Sequence, residues 1–414
     1  MLLEFKVSNF CSIREEQVLS FVGTADSEDL SDNFTQPQLP EMGDTKVLKA
    51  IVIYGANASG KSNILKALQF FAYFAANSFK GFDPEESTGT QPFGLESEWA
   101  ERSTTFEITA IIDDIRTTYG LALTDERVTE EYLVAFPEGK PELYFERTWN
   151  SESKSMQWQF PNSNFSVIEE VRNSVRDNCT LLSAGAQFNH PQLTAVHRWW
   201  TKKLRVLSIT RGNRLVEETA ERWLSATPEL RDIIFRLTKL AEPSLTKINV
   251  EQIEKEADKN SSLRHFPRPR RINDQIFLSH KGRDGDVLLP FVAQSTGTQR
   301  FFGLIGPLLQ ALDGHGVLCI DEIETSLHPL LVQTIFHIFG DIKIQLLVTT
   351  HNAQLLDRNR LRPDQIWFTE KDQAGATRLY PLTDYKQRPE EPLVNGYLAG
   401  RYGGIPFIPE SIIL

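Results

Sequence analysis

The chain has 414 residues, 40% of them hydrophobic and 24% charged, and a net charge of −11. That is the make-up of a globular protein long enough for one large domain or two to three lobes around a shared core. No apolar run approaches the roughly 18 residues that span a bilayer, so no membrane partner is expected, and an acidic chain has no overall attraction to nucleic acid.

From the N-terminus, "MLLEFKVSNF" mixes acid and base into its apolar residues and reads as a strand, not a signal peptide. Three cysteines, Cys11, Cys179 and Cys319, lie far apart without metal-site spacing. A reducing, cytoplasmic location is the expectation. Residues 1–23 alternate apolar and polar like a hairpin, and 26–44 are a polar, acidic loop. "AIVIY", Ala50–Tyr54, is a short β-branched run and hence a buried strand. It runs into "GANASGKSN", after which Ile64, Leu65, Leu68 and Phe71 recur at helical spacing. Residues 79–101 look like loop. "TTFEITAIID", "TTYGLALTDERVTEEYLVAF" and "PELYFERTW" predict an antiparallel meander closing near residue 150. From about 165 to 257 the period turns helical, broken at Pro228, with no sustained heptads and so no long coiled coil. Residues 275–292 return to strands about a "GRDGD" turn, and the remainder alternates strand and helix, the pattern of a parallel sheet.

Three stretches carry chemistry. Gly55 to Ser62 fits G-x-x-x-x-G-K-[ST]: backbone N–H groups close around phosphate oxygens, Lys61 reaches the β- and γ-phosphates, and the Ser62 hydroxyl is a ligand for Mg²⁺. Gly55, Asn57, Ser59, Gly60, Lys61, Ser62 and Asn63 are its candidate nucleotide-binding residues. "GVLCIDE" is an apolar strand that delivers Asp321 and Glu322 to the carboxyl edge of a parallel sheet, where α/β folds bind ligands. Asp321 is the second candidate Mg²⁺ holder. Glu322 is the candidate base for the attacking water, since phosphoryl transfer needs charge neutralisation and an aligned nucleophile. "QLLVTTH" ends a further strand in His351, which either hydrogen-bonds the γ-phosphate or its water, or is structural.

The order of the glycine-rich loop, "STGTQR", "LCIDEIETSLHP" and "VTTHN" resembles the ABC-type ATPase heads of the RecF/SMC kind, and "FKVSNFCSIREEQVLSF" looks like their N-terminal hairpin. Among them the chain is most similar to compact, stand-alone bacterial ATPases with OLD-like heads, many linked to phage defence. The likeness covers roughly 1–150 and 270–414 and is weak between. It implies that Ser295, Gly297 and Gln299 form the signature segment that caps ATP held by a second subunit, although Thr298 stands where such heads carry a second glycine. Ser295 and Gly297 also precede a helix, whose N-terminus favours anions; a simple capped helix start is the competing explanation. Phe301, Leu304, Leu308 and Leu309 line one side of that helix, and Gly303, Gly306 and Pro307 predict a kink or tight packing. By the same likeness, Thr325–Pro329 is the loop that meets its copy across the dimer, with its usual aspartate absent and His328 nearby. Gln91 is a candidate Mg²⁺-sensing glutamine. The ending "YLAGRYGGIPF" resembles the tail of the compact family, with no physical role evident from sequence.

The expectation is an α/β P-loop ABC-type ATPase head with an antiparallel β lobe, a parallel-sheet lobe and a helical insertion. Its divisions are 1–150 (ATP-binding lobe), 151–270 (helical insertion) and 271–414 (signature, carboxylates and histidine). The expected cofactors are ATP and Mg²⁺, and the expected assembly a homodimer or higher oligomer around ATP. Its output is a switch on a separately encoded effector protein, a nuclease in the preferred reading, in phage defence. The alternative is a RecF-like DNA-binding ATPase in repair. Nucleic-acid contact would run through "RHFPRPRR", with Arg264, Arg268, Arg270 and Arg271, otherwise a solvated surface loop. A fused nuclease is not expected: the 63 residues after His351 are few for a domain and hold no D-x-D cluster.

Overall fold

The structure is a computed structural model that describes residues 1–24, 30–162, 165–167, 169–207, 212–251, 276–314, 316–340, 344–386 and 392–406. The basic stretch 264–271 therefore lies outside the described residues. Contacts divide the chain into two units. One comprises Met1–Leu207, Gly314–Ile323 and His337–Leu414, the other Ser208–Asp313 and Glu324–Phe336.

The first unit is organised by Ala50–Tyr54. Its β-branched residues suit a strand covered on both faces, and Ile51 to Tyr54 are fully buried. It sits inside a six-stranded sheet ordered Leu204–Leu207, Val317–Ile320, Gln345–Thr350, Ala50–Tyr54, Ile366–Lys371, Thr377–Pro381. The first five strands are parallel and the last is antiparallel. The five parallel strands thus end at one edge, and four of them bring Gly55, Asp321, His351 and Lys371 to it from remote parts of the chain.

A seven-stranded antiparallel sheet holds the predicted hairpin and meander, ordered Ser155–Gln159, Glu142–Asn150, Val128–Phe136, Ile115–Leu123, Thr104–Ile112, Leu2–Ser8, Gln17–Ser20. Thr104–Ile112 alternates buried and half-buried along its whole length, the pattern of a sheet with one face on the core. The Lys61–Gly81 helix packs there: Phe71 lies 5.1 Å from Phe106, 5.7 Å from Tyr119 and 4.8 Å from Trp200, ring centre to ring centre. Each such buried ring contributes about 1.5–3 kcal/mol through the hydrophobic effect. Within the sheet Glu131 is fully buried, paired to its cross-strand neighbour Arg147 at 2.7 Å. Glu131 also accepts from Tyr119 Oη (2.9 Å) and the backbone N–H groups of Leu181 and Leu182 (2.8 and 3.0 Å). It thereby caps the Leu181–Gln187 helix with charge and hydrogen bonds.

The second unit contains helices Gly212–Ser225 and Pro228–Ala241, the latter capped by Thr227 with Pro228 at its first position. It adds a three-stranded antiparallel sheet, Leu245–Val250, Ile276–Lys281 and Asp286–Pro290. The helix Thr296–Gly314 keeps its course through Pro307 for a stated reason. Pro307 has no N–H for the Gly303 carbonyl, and the Thr219 hydroxyl lies 3.2 Å from that carbonyl, sharing its one proton between it and the Leu215 carbonyl, also at 3.2 Å. Gly306 N–H donates to the same hydroxyl at 2.8 Å, and a Cβ on Gly306 would meet it at 2.7 Å. The expected tight packing is therefore a backbone-to-threonine contact.

Two strands fall inside the stretch read as helical. Leu204–Leu207 and Leu245–Val250 have four and six residues, too few for a period to stand out, and each is defined by its non-local partner strand. The helix after the glycine-rich loop also runs further than its first apolar turns, to Gly81.

Candidate active site

Gly55 follows the last residue of a buried strand and Gly60 precedes the first residue of a helix, so the loop between them must turn within five residues. Gly60 takes φ 108°, and a Cβ there would fall 2.0 Å from Thr377 Oγ1. A Cβ on Gly55 would meet Ser59 Oγ and Thr369 Oγ1, each at 2.5 Å. Both glycines are therefore required by conformation or space. The loop is clamped from below: Ser59 Oγ is hydrogen-bonded to Thr369 Oγ1 at 2.7 Å, and Thr377 Oγ1 donates to the Ser59 carbonyl at 3.2 Å. Lys61 is 5% exposed, and its ammonium donates to the Gly55 and Ala56 carbonyls at 2.7 and 3.0 Å. A cavity of about 330 Å³ opens over this loop, lined by Asn57 to Asn63 and by Lys66, Glu322 and Lys371.

The carboxylates arrive as the sequence order requires. Ser62 Oγ donates to Asp321 Oδ1 at 3.0 Å, and Thr349 Oγ1 donates to the same oxygen at 2.6 Å. The Thr349 hydroxyl accepts from Glu322 N–H at 2.8 Å, and its carbonyl accepts from Ile323 N–H at 3.2 Å. Glu322 holds φ 44°, a left-handed backbone that a glutamate adopts only when its surroundings fix it. The turn aims its side chain toward the cavity, while Asp321 stays at the Ser62 hydroxyl. A hard oxygen pair of this kind fits Mg²⁺, which is held by few protein oxygens and shares the rest of its shell with phosphate and water.

The remaining candidates divide. His351 is exposed directly after the Gln345–Thr350 strand and is not among the residues that line the cavity. Gln91 reaches the loop indirectly. Its carbonyl accepts from Cys11 N–H at 2.6 Å and its amide oxygen from Cys11 Sγ at 3.4 Å, while neighbouring Ser12 Oγ accepts from Asn63 Nδ2 at 2.6 Å. Burial raises the Cys11 thiol above its ordinary value, and the charge of Lys66 partly offsets this.

Ser295, Gly297 and Gln299 belong to the second unit. Ser295 Oγ accepts from Thr298 N–H at 3.1 Å and is hydrogen-bonded to Thr298 Oγ1 at 2.8 Å, which makes it a serine helix cap. Thr298 is 2% exposed, so its side chain is turned inward from the helix start. Gly297 lies against the Thr325–Pro329 loop: a Cβ there would meet the Ser326 carbonyl at 2.7 Å. Gln299 Nε2 donates back to the Gln294 carbonyl at 2.9 Å. His328 caps the following helix, its Nδ1 accepting from Leu330 N–H at 3.2 Å.

Sequence reading missed Thr349, Thr369 and Thr377, whose hydroxyls hold the loop and the carboxylates. Thr349 lies inside the quoted "VTTH" and its partner's identity was invisible without the strand order. It missed Lys66, although the i, i+4 spacing from Ser62 offered it, and Lys371, which only the strand order brings to the loop. The tail "YLAGRYGGIPF" gains a role: Tyr397 and Tyr402 stack on Phe368 at 5.6 and 6.0 Å, and Tyr397 meets Tyr54, the residue before Gly55, edge-on at 6.0 Å.

A glycine-rich loop between a central parallel strand and a helix, with a serine and an aspartate joined at the sheet edge, is the arrangement of a P-loop ATPase. Residues 50–357 match the family model described as "AAA domain, putative AbiEii toxin, Type IV TA system", and the chain belongs to that family, as an ATPase. Solved structures similar to it include an SMC head bound to the C-winged helix domain of ScpA, 13% identical over 92% of this chain and 97% of that one, TM-score 0.45. The SMC head domain from Thermotoga maritima is likewise 13% identical, over 92% of this chain and 98% of that one, TM-score 0.40. A search among curated proteins returns no match. Among the described residues no helix is long and apolar enough to cross a membrane.

Proposed function

We propose that the protein is an ATP-driven switch that dimerises around two ATP·Mg²⁺ and controls a separately encoded effector protein, a nuclease, in a cytoplasmic defence or toxin–antitoxin system. The observation that carries the catalytic half is the 3.0 Å contact of Ser62 with Asp321, with Glu322 on the cavity beside Lys61. In this reading the loop N–H groups and Lys61 bind the phosphate chain, and Ser62 and Asp321 hold Mg²⁺. The metal supplies charge neutralisation on the β- and γ-phosphates. Glu322 orients a water and takes its proton. Thr349 keeps the two carboxylates in separate roles. The description of the chain's family supports the defence or toxin–antitoxin context.

Dimerisation is supported by the chemistry of the Ser295 helix start, which offers backbone N–H groups and a positive dipole end to an anion. In the proposed dimer it caps the γ-phosphate held by the partner's loop, and His351 approaches the same phosphate. The repair reading rests on the likeness to RecF-kind heads, with Arg264, Arg268, Arg270 and Arg271 as its nucleic-acid contact. The test is affinity purification of tagged Glu322→Gln protein with ATP and with ADP. Retention of a second protein with ATP only supports the switch; the same associated material in both nucleotides argues against it.

A further inference from the structure

Lys61 is the lysine that the loop motif explains, yet the cavity carries two more. Lys66 stands one helical turn beyond Ser62, on the same face of the Lys61–Gly81 helix by the i, i+4 rule. Lys371 ends the Ile366–Lys371 strand, which runs parallel to Ala50–Tyr54 and so delivers it to the edge where the loop begins. In the neighbouring strand its register partner is Thr377, the residue whose hydroxyl bonds the Ser59 carbonyl. The backbone that carries Lys371 is therefore tied to the loop's own clamp. Both side chains are exposed, and among the described residues neither takes part in an ion pair. Against three lysines the lining holds a single carboxylate, Glu322.

A triphosphate brings about four negative charges into this space, and two-point gripping by mobile cations at the rim complements one buried lysine at the floor. We propose that Lys66 and Lys371 are nucleotide-binding residues that hold the phosphate chain from the open side of the cavity and set a preference for nucleoside triphosphate over diphosphate and monophosphate. They are binding and specificity residues, not part of the hydrolytic step. Lys66 reaches from the helix and Lys371 from the sheet. The inference deepens the ATP-binding half of the proposed function and rests on it.

The test is calorimetric titration of ATP, ADP and AMP into wild type, Lys66→Gln, Lys371→Gln and the double variant, at low and high salt. The expected loss of ATP affinity is about twofold to fivefold for each lysine, the upper range of an exposed ion pair. The loss should be larger for ATP than for ADP and smallest for AMP, and the double variant should show a flatter dependence on salt. Lys66→Arg and Lys371→Arg keep the charge and should bind within about twofold of wild type. Thermal melts of the Gln variants should match wild type because both side chains are exposed. A double Gln variant that binds ATP within about twofold of wild type, or loses all three nucleotides equally, overturns the proposal while leaving ATP binding intact. Wild-type protein that binds no ATP overturns both.

Discussion

Replacing Thr349 by valine keeps the shape of a buried side chain and removes one hydroxyl. That hydroxyl donates to Asp321 Oδ1 at 2.6 Å and accepts from Glu322 N–H at 2.8 Å, and Thr349 is fully buried. The first bond is charge-assisted, and the second leaves a backbone donor without its partner. Together they predict a stability loss of about 2.5–6 kcal/mol, from the typical net value of a hydrogen bond to a charged group plus the cost of one orphaned N–H. The larger effect should fall on catalysis. Glu322 holds its left-handed backbone, φ 44°, while its own N–H is pinned. Released, it moves toward an ordinary conformation and its carboxylate leaves the line of the water. A drop of about tenfold to a hundredfold in kcat is expected, with ATP affinity within a few-fold, since Lys61 and the loop are untouched. Urea unfolding and steady-state ATPase assays measure the two quantities. Thr349→Ser retains the hydroxyl and should recover most of both. A valine variant with wild-type kcat, or a serine variant no better than valine, refutes the positioning role.

Gly60→Ala should lose ATP binding and about 1–3 kcal/mol of stability, because its Cβ would lie 2.0 Å from Thr377 Oγ1 at a φ of 108°; calorimetry and thermal melts read both. Glu131→Ala leaves Arg147 buried without its carboxylate and the Leu181 and Leu182 N–H groups without their acceptor, so a loss of about 3–5 kcal/mol is expected in chemical denaturation. Mixing two inactive proteins, Lys61→Ala and Ser295→Arg, should restore part of the ATPase activity once subunits exchange, since one site of the mixed dimer is intact. A fully active Ser295→Arg protein would remove the shared-site scheme.

The strands and glycine-rich loop were legible because their signals are local. "AIVIY" is buried on both faces and reads as such, and Gly55 to Ser62 announces a turn that only glycines complete. The meander showed through the alternation in Thr104–Ile112 and its neighbours. Leu204–Leu207 was illegible because its strand character comes from pairing with Val317–Ile320, over a hundred residues away. The same holds at the site. Asp321 and Glu322 could be found as the polar end of an apolar strand, but the Thr349 hydroxyl that touches both comes from another strand. Thr369 and Thr377 look like ordinary β-branched residues until sheet order places them under the loop. Pro307 reads as a helix breaker in sequence, and only the Thr219 hydroxyl explains why the helix continues.

The central claim is that ATP holds two copies together until Glu322 acts. Sedimentation of Glu322→Gln protein with ATP and Mg²⁺ tests it most directly. The expected result is a stable dimer with ATP, a monomer without nucleotide, and a monomer again when Ser295→Arg is added to the same chain. Glu322→Gln protein that binds ATP yet sediments as a monomer, or as the same oligomer with and without nucleotide, would contradict it.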